Sequence, residues 1–227
     1  MKNFTINGGG GSWYTNPETN NRQVGTFLTK KVQAYYHDDY HGGDQELRDT
    51  AGTVENIITT LKNQFNNTSV NVLGQAGNNM RTILNKDLPQ ILLLTGLEEL
   101  VVCAIPRSKA ENTYTNVQLL FKKAIKDSVE NLDKFIDGTD YIVRHTDTRT
   151  THMDKSGHGG EGNLPYPGIT KDTCTISDKV RGKDILLIDD LYTASVNIDE
   201  DAIQALFDNG ARSVIFYSLG KTIRRTQ

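Results

Sequence analysis

The chain has 227 residues, 36% hydrophobic and 23% charged, with a formal net charge of −3. Its mean hydropathy is −0.50 and its pI about 6.0. No apolar run approaches the ~20 residues of a membrane-spanning helix, and the acidic balance argues against a general nucleic-acid binder, which needs a basic face. A local anion site stays open to such a chain. The length suits one large domain or a domain with an appended cap. Cys103 and Cys174 are the only cysteines and match no zinc-ligand spacing. With no apolar secretory segment at the start, they point to a reducing cytoplasm.

In chain order, the first twenty or so residues are rich in Gly, Asn and Thr and read as turns or a loosely held arm, with Trp13 and Tyr14 as anchors. The run 8–11, "GGGG", lacks the Lys-Ser/Thr of a phosphate-binding P-loop. In "HDDYHGG" (37–43), His37, Asp38, Asp39 and His41 could ligate a metal, but the spacing favours a solvated loop. Residues 44–65 place Leu47, Val54, Ile57, Ile58, Leu61 and Phe65 at helical spacing. A short strand is expected at 69–74, then a helix over 79–100 broken at Pro89.

The rhythm then changes. Strands are expected at 100–105, 140–144, 184–189 and 213–219, with helices at 115–129 and 199–211. Residues 145–179 show no periodicity. The last helix has acidic residues in its first turn and Gly210 at its stop, as dipole and capping chemistry prefer. Alternating strands and helices predict an α/β fold with a parallel sheet flanked by helices. Ligands in such sheets bind at the carboxyl ends of the strands. Three of these ends carry polar chemistry: "PRSK" after the first strand, "RHTDTR" after the second, "DDLYTAS" after the third.

The third is the most specific. An apolar strand delivers Asp189 and Asp190 to the sheet edge, and Thr193, Ala194, Ser195, Val196 and Asn197 form a short turn opening the next helix. Small and hydroxyl residues there expose backbone N–H groups, and the helix N-terminus adds positive partial charge, which suits a phosphate. Carboxylates beside it can accept hydrogen bonds from sugar hydroxyls. Together they describe a site for a ribose 5-phosphate.

"ILLIDDLYTASVN" resembles the phosphoribosyl-diphosphate (PRPP) motif of type I phosphoribosyltransferases: four apolar residues, two acidic, then a Thr-Thr/Gly-Gly-x-Thr/Ser turn. "GARSVIFYSLGKT" (210–222) is similar to the closing strand and tail of the ComF-like branch, related to amidophosphoribosyltransferase domains. The close likeness covers 184–222; a looser one covers about 98–227. It implies a Rossmann-like phosphoribosyltransferase core at 98–227 and an N-terminal, mainly helical hood region at 1–97. Asp189 and Asp190 would hold the ribose 2′ and 3′ hydroxyls as the catalytic pair, and Thr193 to Asn197 the 5-phosphate. Tyr192 is grouped with that turn, where it either packs on the ribose or base or covers the sheet edge. Arg107, Ser108 and Lys109 would bind diphosphate. Arg144, Arg149 and His152 stand at the lid or acceptor side. Residues 154–168, with five glycines and two prolines, match the family's mobile loop.

The reaction implied is transfer of ribose 5-phosphate from PRPP to a nitrogen acceptor with release of diphosphate. Mg²⁺ would bridge the diphosphate and ribose hydroxyls, with Asp189 and Asp190 as candidate protein ligands. Two positions depart from the family pattern: Ser195 stands where glycine is usual, and Asn197 where Thr or Ser is usual. The alternative is a non-catalytic PRPP- or nucleotide-binding regulatory protein on the same fold. A homodimer is a family-based expectation. The acceptor has no readable motif.

Overall fold

A computed structural model describes residues 1–16, 19–149, 167–194 and 196–223. Four strands come first: β1 (Lys2–Ile6), β2 (Gly11–Thr15), β3 (Arg22–Thr26) and β4 (Val32–Tyr40). Three helices follow: α1 (Gln45–Asp49), α2 (Val54–Lys62) and α3 (Val70–Thr95). Then come β5 (Leu100–Ala104), α4 (Leu120–Val129), β6 (Phe135–Asp137), β7 (Ile142–Arg144), α5 (Ile169–Thr173) and β8 (Cys174–Ile176). The chain closes with β9 (Asp184–Tyr192), α6 (Ile198–Asp208) and β10 (Ser213–Thr222).

The fold is mixed α/β. Six strands form one sheet in the order β1-β4-β10-β9-β5-β6, all parallel except β1, which lies antiparallel on β4. Its central strands are apolar on both faces, as helices on both sides require. Leu186 and Ile188 of β9 pack on one side with Ile58, Leu61, Met80, Leu84 and Leu88 of α2 and α3. Ile185 and Leu187 point the other way, to Ile203 and Leu206 of α6.

The first twenty or so residues, expected as turns or a loosely held arm, instead carry β1 and β2. Residues 2–40 hold four strands, and β4 lies inside the main sheet beside β10. Tertiary pairing prevailed over a weak local pattern: β4 buries Val32, Ala34, Tyr35 and Tyr36. The expected strand at 69–74 is instead the first turn of α3. Leu73, Ala76, Met80, Leu84, Leu88 and Ile91 are buried at helical spacing, and that stripe outweighs the β propensity of Val70 and Val72. Pro89 lies within α3, which continues to Thr95 because buried residues on both sides of it anchor the helix. The helix expected over 44–65 is two, α1 and α2. Between them Gly52 takes φ +93°, and the Thr53 hydroxyl caps α2 by accepting from the Asn56 amide.

The strand at 140–144 is present as β7, but it pairs antiparallel with β8 in a separate two-stranded sheet. On its side away from β9, β5 pairs in parallel with β6, too short to show a period. Of the 37–43 segment, residues 37–40 are the end of β4 and 41–43 form the turn that follows it. Asp38 and Asp39 pair with Lys2 at 2.9 and 2.8 Å, and His37 Nδ1 is 2.8 Å from buried Asp87.

Candidate functional site

The site begins with a missing donor. The Ile105 amide donates to the Ile188 carbonyl at 2.9 Å, and Pro106, with no N–H, cannot continue the ladder. The chain turns away at Pro106, while β9 runs on beside β10, with Ser218 opposite Asp189 and Gly220 opposite Leu191. That leaves the β5 side of β9 open at Asp189 and Asp190. A cleft of about 950 Å³, counting its open mouth, fills the notch. Lys62, Arg107, Arg144 and Arg149 line it with those two acids, four cationic side chains to two carboxyls. In a chain of net charge −3, this local excess favours an anionic ligand.

Each acid has a partner. Asp190 Oδ2 is 2.9 Å from the ammonium of Lys62, the last residue of α2. Burial works against that charge, but the carboxylates of Asp190 and Asp189 more than offset it and hold the Lys62 pKa above its usual value. Asp189 interacts with Asp199 of α6. Burial, and then the Asp190 charge, push the Asp189 carboxyl up to about 7, against the opposing hydrogen bond from Asp199. Burial, and then Asp189, drive Asp199 well above the usual carboxylate range. Two carboxyls in contact, Asp199 buried and Asp189 half-buried at the cleft wall, cannot both ionise cheaply, which favours one proton held between them.

The acidic first turn of α6 therefore does more than complement the helix dipole. Glu200 accepts from the Tyr192 hydroxyl at 2.9 Å, and Asp201 accepts from the Gly168 and Thr170 amides, both at 2.6 Å, fixing α5. Tyr192 is buried against Phe4 and Phe216, with ring centroids 4.8 and 5.7 Å away. It is a core residue beneath the edge, and it is not among the residues lining the cleft.

The sequence-nominated cations converge, but much of their hydrogen bonding serves the scaffold. Arg107 Nη1 donates to the carbonyls of Lys62 and Gln118, each at 2.7 Å, and Nη2 donates to Gln64 Oε1 at 3.2 Å. Its guanidinium lies 4.4 Å from the Tyr114 ring centroid. Arg144, buried, donates through Nε to the Arg107 carbonyl at 2.8 Å and through Nη1 to the Thr173 hydroxyl. Lys109 Nζ donates to the Thr148 carbonyl at 2.9 Å and lines a smaller adjoining pocket. The Thr148 amide and hydroxyl both donate to the Ser108 carbonyl, at 2.7 and 2.9 Å. The 106–109 turn is thus fastened to 144–149 and to the end of α2. Arg107, Ser108, Arg144 and Arg149 still line the cleft together, as the convergence of polar strand ends predicts.

The turn after β9 lies apart. Thr193, Ala194, Val196 and Asn197 are not among the residues lining the cleft, whereas Ile198 is. β9 continues through Leu191 and Tyr192, carrying the turn about 10 Å beyond Asp190 at ~3.3 Å per residue. The Thr193 and Thr222 hydroxyls are 2.7 Å apart, the Val196 amide donates to the Thr193 carbonyl at 3.0 Å, and the Ser12 hydroxyl donates to Asn197 Oδ1 at 3.1 Å. Asn197 takes φ +61°, a conformation asparagine tolerates. Ser195, His152 and residues 154–166 of the expected mobile loop lie outside the described residues.

Sequence reading missed Lys62 and Asp199. Lys62 resembles an ordinary cation at a helix C-terminus, and Asp199 an ordinary acid at a helix N-terminus. Only the long-range pairing of α2 and α6 with β9 gives them other work. No protein-family model matches the chain, and no curated protein matches its sequence.

Proposed function

We propose that the chain is a phosphoribosyltransferase, transferring the ribose 5-phosphate of PRPP to a nitrogen acceptor and releasing diphosphate. The observation that carries this reading is the acidic pair Asp189–Asp190 on the open lip of a cation-lined cleft, where a parallel strand outlasts its neighbour. The core from about residue 98 onward is then Rossmann-like in the family's sense, with the helices before it as the hood: the end of α2 supplies Leu61, Lys62 and Gln64 to the cleft wall. Asp189 and Asp190 accept the ribose hydroxyls. The 5-phosphate points toward Ile198 and the 193–197 turn. The C1–O bond to diphosphate breaks, its electron pair leaves with the diphosphate, and the acceptor nitrogen forms the new bond to C1 through an oxocarbenium-like transition state.

The resemblance brings Mg²⁺ with PRPP. The acidic pair as it stands does not fit a protein-held divalent ion, because Lys62 already neutralises Asp190 and Asp199 hydrogen-bonds Asp189. Mg²⁺, if it takes part, would come bound to the substrate rather than to these two acids. The reading carries with it a cytoplasmic enzyme acting on small molecules, as a homodimer. Among the described residues no helix is long and apolar enough to cross a membrane.

The scaffold bonds of Arg107, Arg144 and Lys109 favour a second reading, a PRPP- or nucleotide-binding regulator without turnover. Diphosphate release from PRPP over a panel of nitrogen acceptors separates the two. Release that depends on Asp189 and Asp190 supports the transferase, whereas saturable PRPP binding without release supports the regulator.

A further inference from the structure

One of the cations lining the cleft, Lys62, is not nominated by the family likeness. Arg107 and Arg144 each give two or more hydrogen bonds to protein oxygens, and Lys109 gives its ammonium to a carbonyl. Lys62 differs. Its ammonium has three donors, its ion-pair partner is the single carboxylate of Asp190, and it lies in the cleft wall with its side chain 30% exposed.

Its position is fixed from two sides. The helix that carries it is anchored by Ile57, Ile58 and Leu61, all buried, and ends at Asn63 in the left-handed conformation. Its own carbonyl accepts from Arg107 Nη1, so the stem is tied to the 106–109 turn. A lysine held this way keeps its charge in the cleft whatever the ligand state. We propose that Lys62 is the anion-binding residue of the cleft, that Asp190 positions it, and that its ammonium supplies the positive charge a divalent cation would otherwise bring to a diphosphate. This rests on the phosphoribosyltransferase reading for the identity of the anion, but not for the position of the charge.

On binding, the ammonium keeps its bond to Asp190 and turns its other two donors to diphosphate oxygens. Charge-assisted bonds of this kind are roughly twice as strong as neutral ones. Arginine keeps the charge at this position, glutamine removes it, and Asp190→Asn keeps an amide oxygen to hold the ammonium while removing the competing negative charge.

The test is calorimetric titration of the full chain with inorganic pyrophosphate in EDTA, with a thermal melt of each variant. The wild type binds without added metal. Lys62→Gln weakens binding by about tenfold or more, Lys62→Arg stays within about threefold, and Asp190→Asn binds at least as tightly as the wild type. If Lys62→Gln folds poorly with Asp190 left unpaired, the double variant Lys62→Gln/Asp190→Asn carries the same expectation. Equal pyrophosphate affinity in wild type and the glutamine variant overturns the proposal, as does wild-type binding that appears only with Mg²⁺. Lys62-dependent binding without diphosphate release from PRPP upholds Lys62 and removes the transferase reading. Equal release by wild type and Lys62→Gln does the reverse.

Discussion

The Lys62 ammonium and the Asp190 carboxylate, 2.9 Å apart, join the end of α2 to the lip of β9 across the mouth of the cleft. Both side chains are mostly covered, at 30% and 18% exposure, so the cost of desolvation offsets much of the attraction and the pair adds little net stability, about 0–1 kcal/mol. Asp190→Asn is therefore expected to shift the urea unfolding free energy by no more than about 1 kcal/mol. PRPP affinity, which needs the carboxylate for ribose hydroxyls, falls by about tenfold or more. A loss of several kcal/mol on unfolding makes Asp190 a structural residue instead.

The Asp189–Asp199 pair sets a pH dependence, because both carboxyls are held above their usual range. The unfolded Asp189 carboxyl ionises near 3.8 and the folded one at about 7. Between those values the folded chain holds a proton that the unfolded chain has released, so this group's effect is to lower stability as pH rises through that window. Asp199→Asn replaces the second acid with a neutral donor. The variant is expected to melt roughly 2–8 °C above the wild type at pH 8, with the difference shrinking toward pH 5. Thermal melts of both proteins across that range check it; a constant offset contradicts it.

Arg107 ties together Lys62, Gln64, Gln118 and Tyr114. Arg107→Met removes these bonds and leaves two carbonyls without their donor, which should cost about 2–3 kcal/mol in urea unfolding. An unchanged midpoint together with lost diphosphate affinity returns Arg107 to the purely ligand-binding role its sequence position suggests.

Gly220 faces Leu191 where β10 and β9 run past the acidic pair. A Cβ there meets Leu191 and Tyr40 at 3.1 Å and Ile58 at 3.2 Å. Gly220→Ala is expected to destabilise by about 1–3 kcal/mol, because neither the strand nor α2 can withdraw freely. A neutral result, read from chemical denaturation, shows that α2 sits more loosely on the sheet than its buried residues imply.

Much of the second half was legible because its elements are local and strongly patterned. β5 is wholly apolar, β9 and β10 each hold an unbroken apolar run (ILLI and VIFY), and α6 carries both its acidic start and its glycine stop. β4 was not, because its pairing partner β10 lies far along the chain and its end is polar. β7 was found but assigned to the wrong sheet, since three residues carry no information about their partner. Within the site, the nearness of Asp189 and Asp190 to "PRSK" followed from strand ends alone. That Arg107 bonds to α2 and that Lys62 faces Asp190 depends on helix packing across the sheet, which no local pattern encodes.

Calorimetric titration of the full chain with PRPP, beside the Asp189→Asn/Asp190→Asn double variant, bears most directly on the phosphoribosyl site. Saturable one-site binding that the double variant loses is expected. No saturable binding by the wild type, or equal binding by a folded double variant, would leave the acidic lip without a sugar phosphate to hold.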